Sequence, residues 1–316
     1  MEERGMSERE KVLDAFAASG WDRKIIENGE IAHLVASGNS IVSGREAEGL
    51  SMETEETTSG IRVAMRVREG AVLANPVHLC FGIRHEEGVQ EIEMEVTLGR
   101  NASAEIVAHC LFPNARKVIH RMDASVDVGE GARMRYAETH YHGRIGGIEV
   151  VPKARVTVRK GGEYRSEFVL VQGRVGRLAI DLDVEAREGA VVELAARVFG
   201  HGEDSVTIRE KVALNGRDAR GLIRTRVALE DESSAEVIGI TEGNAPGARG
   251  HVDCVEIVKD RAVAKALPIV AVRDPLAKVT HEAAIGTVDK KALETLMAHG
   301  LAPEEAVNMI ITGILR

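Results

Sequence analysis

Six turn signals recur along this chain at nearly constant intervals, and that spacing constrains the possible folds more than any other feature. They are Glu69-Gly70-Ala71, Asn101-Ala102-Ser103, Glu130-Gly131-Ala132, Gly161-Gly162-Glu163, Glu188-Gly189-Ala190 and Arg217-Asp218-Ala219. Measured between Ala71, Ala102, Ala132, Gly162, Ala190 and Ala219, the steps are 31, 30, 30, 28 and 29 residues. Between turns the residues alternate, as in Arg62-Val63-Ala64-Met65-Arg66-Val67-Arg68, where Val63, Met65 and Val67 point one way and basic side chains the other. The 32 glycines against only 7 prolines suit many short strands joined by tight turns. A repeat of this kind builds a solenoid in which each unit buries its apolar row against the next, so the expected fold is mainly β, a parallel β-helix. An antiparallel sandwich or barrel with evenly spaced hairpins is the competing fold.

The alternation divides the chain into three. Residues 1–60 read as an N-terminal helical and loop region. Ser7 and Glu10 form a capping box, Val12, Leu13 and Phe16 share a helix face, and Gly20 closes it. Residues 44–60, carrying Glu46, Glu48, Glu53, Glu55 and Glu56, read as an acidic loop. Residues 61–280 form the β-helix core. Residues 281–316 form a helical hairpin: Asp289 caps the first helix, and Pro303, Glu304 and Glu305 open a second with a wide apolar stripe of Ala306, Val307, Ile310, Ile311 and Ile314. That stripe must pack on the solenoid or meet another protein.

Composition excludes several function classes. Fifty acidic against 41 basic residues set a net charge of −9, which repels nucleic-acid backbones and anionic lipid surfaces. One Trp, three Tyr and five Phe cannot furnish stacking platforms for single-stranded nucleic acid or sugars, which disfavours a polysaccharide-active β-helix enzyme. Three scattered cysteines, Cys80, Cys110 and Cys254, make no disulfide framework and point to a reducing compartment. No apolar run approaches the ~18 residues of a spanning helix, and no secretory h-region is visible, so a cytoplasmic protein is expected. Nucleotide-binding and hydrolase motifs are also absent.

Two constellations could carry chemistry. In Glu138-Thr139-His140-Tyr141-His142, strand alternation puts Glu138, His140 and His142 on one face, a spacing compatible with a metal; a polar solvent face is the alternative. The second is His251-Val252-Asp253-Cys254-Val255-Glu256-Ile257, followed some 27 residues after Cys254 by Thr280-His281-Glu282-Ala283. There a thiolate, an imidazole and a carboxylate are available near the end of the solenoid, the thiolate being the soft ligand iron-sulfur clusters need. A small buried Cys and a satisfied core His remain the alternative for these residues.

From Cys254 onward, Ala266-Leu267-Pro268, Thr280-His281-Glu282-Ala283-Ala284-Ile285-Gly286, Leu301-Ala302-Pro303-Glu304-Glu305-Ala306 and Met309-Ile310-Ile311-Thr312-Gly313-Ile314 resemble the C-terminal signature of the SufB/SufD family. The His-Glu-Ala triplet at 281–283 resembles the SufB branch, in a minimal form without the N-terminal C-x-x-C-type motif of longer members. The resemblance implies a right-handed parallel β-helix with short helical ends. It also implies a non-enzymatic scaffold for iron-sulfur cluster assembly, building a transient cluster at a homodimer interface. Cys254 matches the family's assembly cysteine, and His281 and Glu282 match the pair that completes the site; Thr280 departs from the Glu often found before that pair. The implied partners are a SufC-type ABC ATPase docking on the C-terminal helices and cluster-accepting apoproteins. A β-helix interaction platform without a cluster stays open as the alternative.

Overall fold

Each turn signal proves to be a corner of the solenoid. Gly70, Asn101, Gly131, Gly161, Gly189 and Asp218 all have positive φ, between 55° and 70°. That left-handed conformation favours Gly, Asn or Asp. The small residue that follows closes a tight turn, as in Ala102 N–H to the Gly99 carbonyl at 3.1 Å and Ala132 N–H to the Gly129 carbonyl at 3.1 Å. Neighbouring corners hydrogen-bond in register: Asn101 N–H donates to the Glu130 carbonyl, and Gly131 N–H to that of Lys160. The step near 30 residues is therefore one complete rung.

The computed structural model describes residues 8–83 and 85–315. In chain order the strands are β1 (His33–Ser37), β2 (Ser40–Arg45), β3 (Leu50–Glu56), β4 (Gly60–Val67), β5 (Val77–Gly82), β6 (Glu87–Leu98), β7 (Ser103–Phe112), β8 (Lys117–Val128), β9 (Arg133–His142), β10 (Ile148–Val158), β11 (Glu163–Gln172), β12 (Gly176–Ala186), β13 (Val191–Gly200), β14 (Ser205–Leu214), β15 (Arg220–Leu229), β16 (Ser234–Gly243), β17 (Arg249–Val258), β18 (Val263–Val272) and β19 (Lys278–Gly286). One sheet runs β19-β17-β15-β13-β11-β9-β7-β5-β1-β2, and the other β18-β16-β14-β12-β10-β8-β6-β4-β3. Every pairing is parallel except β1 with β2 and β3 with β4. The result is a parallel β-solenoid of about 8 turns, mainly β, with short helices at both ends.

Between the two sheets lies one apolar core of stacked Val, Ile, Leu, Ala and Met. On the outer faces opposite charges alternate from rung to rung, as where Arg121 lies between Glu91 and Glu149 at 3.4 and 3.5 Å. Such exposed pairs contribute roughly 0–1 kcal/mol each, so the stacked core carries the stability.

At the N-terminal end, α1 (Glu8–Ala18) and α2 (Lys24–Glu27) cover the outer face of β1, β5 and β7, burying Val12, Leu13, Phe16 and Ile26 against Val35, Cys80 and Leu111. Gly20 has φ +96° and ends that segment, while Ser7 of the expected capping box lies outside the described residues. The acidic loop expected over residues 44–60 is a correction: β3 occupies Leu50–Glu56, and β1 and β2 precede it. Glu53, Glu55 and Glu56 sit on an exposed antiparallel strand beside β4, with Glu53 3.0 Å from Arg66 and Glu55 paired to Arg62. The solenoid thus starts near His33 and runs to Gly286, beyond the expected limits of 61 and 280.

After β19 come α3 (Lys290–Ala298) and α4 (Pro303–Ile314). Asp289 caps α3 by accepting from Ala292 N–H at 2.6 Å, and Glu305 accepts from Ala302 N–H at 3.0 Å. Ala306 and Ile311 of α4 are buried, and Ile311 and the following Leu315 pack on Ala228, Val171 and Phe199 of the sheet's outer face; α3 buries nothing. Among the described residues no helix is long and apolar enough to cross a membrane.

Candidate functional site

Strand register decides which candidate side chains can meet. Along β17, Val252, Cys254 and Glu256 point into the core, while His251, Asp253 and Val255 point out. The parallel pairing sets Val252 opposite His281, Asp253 opposite Glu282 and Cys254 opposite Ala283. In-register residues of parallel strands share a face, so His281 belongs to the inner face with Cys254, and Glu282 to the outer face with Asp253. Cys254 and His281 lie on adjacent strands, about 4.8 Å apart along the solenoid axis. Glu282 is not brought to the same face as the thiol. Outside, His251 Nδ1 lies 2.8 Å from Thr280 Oγ1.

Cys254 is only 1% exposed. Its surroundings contain further polar groups, of which Thr225, Glu210 and Thr241 carried no signal in the sequence. Thr225 is its in-register neighbour on β15 and hydrogen-bonds it, and the Thr225 hydroxyl donates across the interior to Glu210 Oε2 at 3.0 Å. Glu256 is fully buried with neither carboxyl oxygen hydrogen-bonded, and the buried Thr241 hydroxyl is unpartnered too. Burial pushes the thiol up to about 12, helped by the Glu256 and Glu210 charges. Burial likewise raises Glu210 and Glu256 to about 7. The site therefore holds a neutral thiol in the company of carboxyls that titrate near neutrality. The signal for Glu256 lay in strand parity, since it shares the inward side with Cys254. Glu210 becomes a neighbour only through rung stacking.

The last rung is uncovered. Nothing among the described residues stacks on β18 and β19, and Val263, Val272, Leu276 and Ile285 are 63%, 50%, 70% and 48% exposed. His281 and Glu282 sit on this rim.

The second constellation lies elsewhere. Glu138, His140 and His142 do share one face of β9, but that face is the interior, and all three are buried. A polar solvent face is thus excluded. His140 Nε2 is 2.7 Å from Glu138 Oε1, and Tyr136 donates to Glu138 Oε2 at 2.8 Å. Cys110 of β7 sits opposite His140, one rung away. Their separation of 30 residues is the repeat period, the signal that could have paired them.

Comparison with known proteins adds four findings. A family model described as SUF system FeS cluster assembly, SufBD core domain, matches residues 81–314. An iron-sulfur cluster assembly SufBD family protein of Methanocaldococcus jannaschii is 37% identical over 305 residues, covering 96% of both chains. Another from Pyrococcus horikoshii is 32% identical over 310 residues, 98% of this chain and 94% of that one. The iron-sulfur cluster assembly protein SufB of Bacillus subtilis is 22% identical over 260 residues, 79% of this chain and 54% of the relative.

Proposed function

This chain belongs to the SufBD family, whose members function in iron-sulfur cluster assembly, and from that premise we propose that it is a non-enzymatic scaffold on which a transient cluster is built as cargo near Cys254. The carrying observation is the register that puts Cys254 and His281 on one face of adjacent strands, at the uncovered end of the solenoid. Thiolate is the soft ligand iron requires, and imidazole can complete it.

One cysteine per chain cannot hold a cluster alone, and a two-fold interface doubles every ligand it contains. The exposed apolar rim of β18 and β19 supports pairing of two copies there, each giving Cys254 and His281. Glu282, on the outer face of the same rim strand, joins as an oxygen ligand when the last rung opens. A SufC-type ATPase docks on the helical hairpin, and its nucleotide cycle opens the rim and exposes the buried thiol, a two-state switch. Apoproteins then receive the cluster.

Burial of Cys254 favours a second reading, an interaction platform whose cysteine is simply packed. Cluster transfer separates the two. Reconstituted anaerobically, the full chain should pass its cluster to an apo-ferredoxin acceptor and restore the acceptor's visible absorption. A protein that takes up iron and sulfide but transfers none, or takes up none, contradicts the scaffold.

A further inference from the structure

Most interior columns of the solenoid are apolar, but between β7 and β9 they hold metal-ligating side chains. Cys110 stacks opposite His140 on the neighbouring rung, and His120 enters from β8 in the facing sheet. Cys110 Sγ and one ring nitrogen each of His120 and His140 all lie within 4.8 Å of one another, and none of the three residues is more than 2% exposed. A tetrahedral site with metal-sulfur and metal-nitrogen bonds of ~2.3 and ~2.0–2.1 Å needs separations of about 3.3–3.6 Å, so small side-chain shifts close it.

Two features of this cluster's hydrogen bonding bear on that site. The buried His120 Nδ1 has no hydrogen-bond partner, which is costly in an apolar interior. His140 is held on both nitrogens: Nδ1 is 3.1 Å from His142 Nε2, and Nε2 is 2.7 Å from Glu138 Oε1. His142 Nδ1 faces the Arg174 carbonyl at 3.3 Å and must donate to it, so its Nε2 accepts from His140 Nδ1–H. The His140 Nε2–Glu138 contact is an ion pair when the ring carries a proton there, and a metal ion can take that proton's place.

We propose that Cys110, His120 and His140 bind one resident divalent ion of borderline softness, of the Zn²⁺ or Fe²⁺ class, with the Glu138 carboxylate, 2.7 Å from His140 Nε2, as an oxygen donor beside it. Thiolate and imidazole exclude Ca²⁺ and Mg²⁺, which take all-oxygen shells. All three ligands are buried, so the ion would be closed off from solvent inside the solenoid. It ties both sheets and two rungs together, and His142 holds the His140 ring in place from outside. Five strand steps, about 24 Å, separate it from Cys254.

The test uses the full chain in a Cys254→Ala background, which removes the cargo thiolate, expressed in cobalt-supplemented medium so that the ion is present during folding. The expected result is one cobalt per chain, with the d–d bands of tetrahedral coordination and a thiolate-to-cobalt charge-transfer band. Cys110→Ser should abolish the charge-transfer band, and His120→Gln should lower bound cobalt at least tenfold, with circular dichroism confirming the fold. If Cys110→Ser does not fold, His120→Gln gives the same reading. Elemental analysis after growth in ordinary medium then shows whether zinc or iron is held; either supports the site. Folded Cys254→Ala protein that carries no cobalt, or whose charge-transfer band survives Cys110→Ser, overturns it.

Discussion

Gly239 on β16 and Cys254 on β17 face each other across the solenoid interior, so closely that a Cβ on Gly239 would stand 3.8 Å from the Cys254 sulfur and 2.7 Å from Val252 Cγ1. Val252 is a stiff β-branched neighbour that cannot swing clear. Overpacking of this kind costs about 1–3 kcal/mol. Gly239→Val should therefore lower the guanidinium midpoint and reduce iron incorporation, with Gly239→Ala milder. A Gly239→Val protein as stable as the parent contradicts this account of the packing around the thiol.

Glu210, beside Gly239 in register, supplies a pH prediction. Burial raises its carboxyl to about 7 from an ordinary 4.5, so the folded chain holds that proton more tightly than the unfolded one. Its contribution is fully present below pH 4.5 and is lost as pH rises through about 7, at up to ~1.4 kcal/mol per pH unit. Burial drives His120 and His142 down, with an opposing slope at acid pH. The difference between Glu210→Gln and the parent isolates the effect. Relative to the parent, the variant should gain up to about 3 kcal/mol between pH 4.5 and pH 7.5 in denaturation experiments. A flat difference contradicts the assignment.

The solenoid was legible because each corner needs a left-handed residue, so Gly70, Asn101, Gly131, Gly161, Gly189 and Asp218 print the rung length into the sequence. Cys254 and its parity with Glu256 were legible as well. The chemistry inside the solenoid was not, since alternation separates two faces without saying which is wet. Glu138, His140 and His142 were legible as one face with a metal-compatible spacing, but not as an inner face, because polar residues seldom line a core. His120, which comes from the facing sheet, carries no local signal at all. The glutamates of β3 misled for a related reason: an exposed strand is charged, and here the arginines of β4 balance it.

Rim pairing is testable by charge. Val272→Glu and Ile285→Glu place carboxylates on the exposed last rung of the solenoid, with circular dichroism verifying the fold. Light scattering should show the parent as a dimer and each variant at least tenfold weaker in self-association, about 1.4 kcal/mol. A parent that is monomeric at micromolar concentration contradicts the shared site.

The hairpin separates docking from folding. Ile311 is buried against the solenoid, so Ile311→Ala should cost about 2–4 kcal/mol of local stability. Met297 and Met309 are exposed. Met297→Glu with Met309→Glu should leave the fold intact while weakening capture of a SufC-type ATPase at least tenfold in pull-down titrations. Undiminished capture would move the docking surface elsewhere.

The most direct test is the iron and acid-labile sulfide bound per chain after anaerobic reconstitution of Cys254→Ser, with circular dichroism verifying its fold. The hydroxyl fits the space of the thiol but is a poor soft-metal ligand. The account predicts folded protein with no stable cluster, while His281→Ala and Glu282→Ala retain a reduced amount. A full complement of iron and sulfide on folded Cys254→Ser would contradict it.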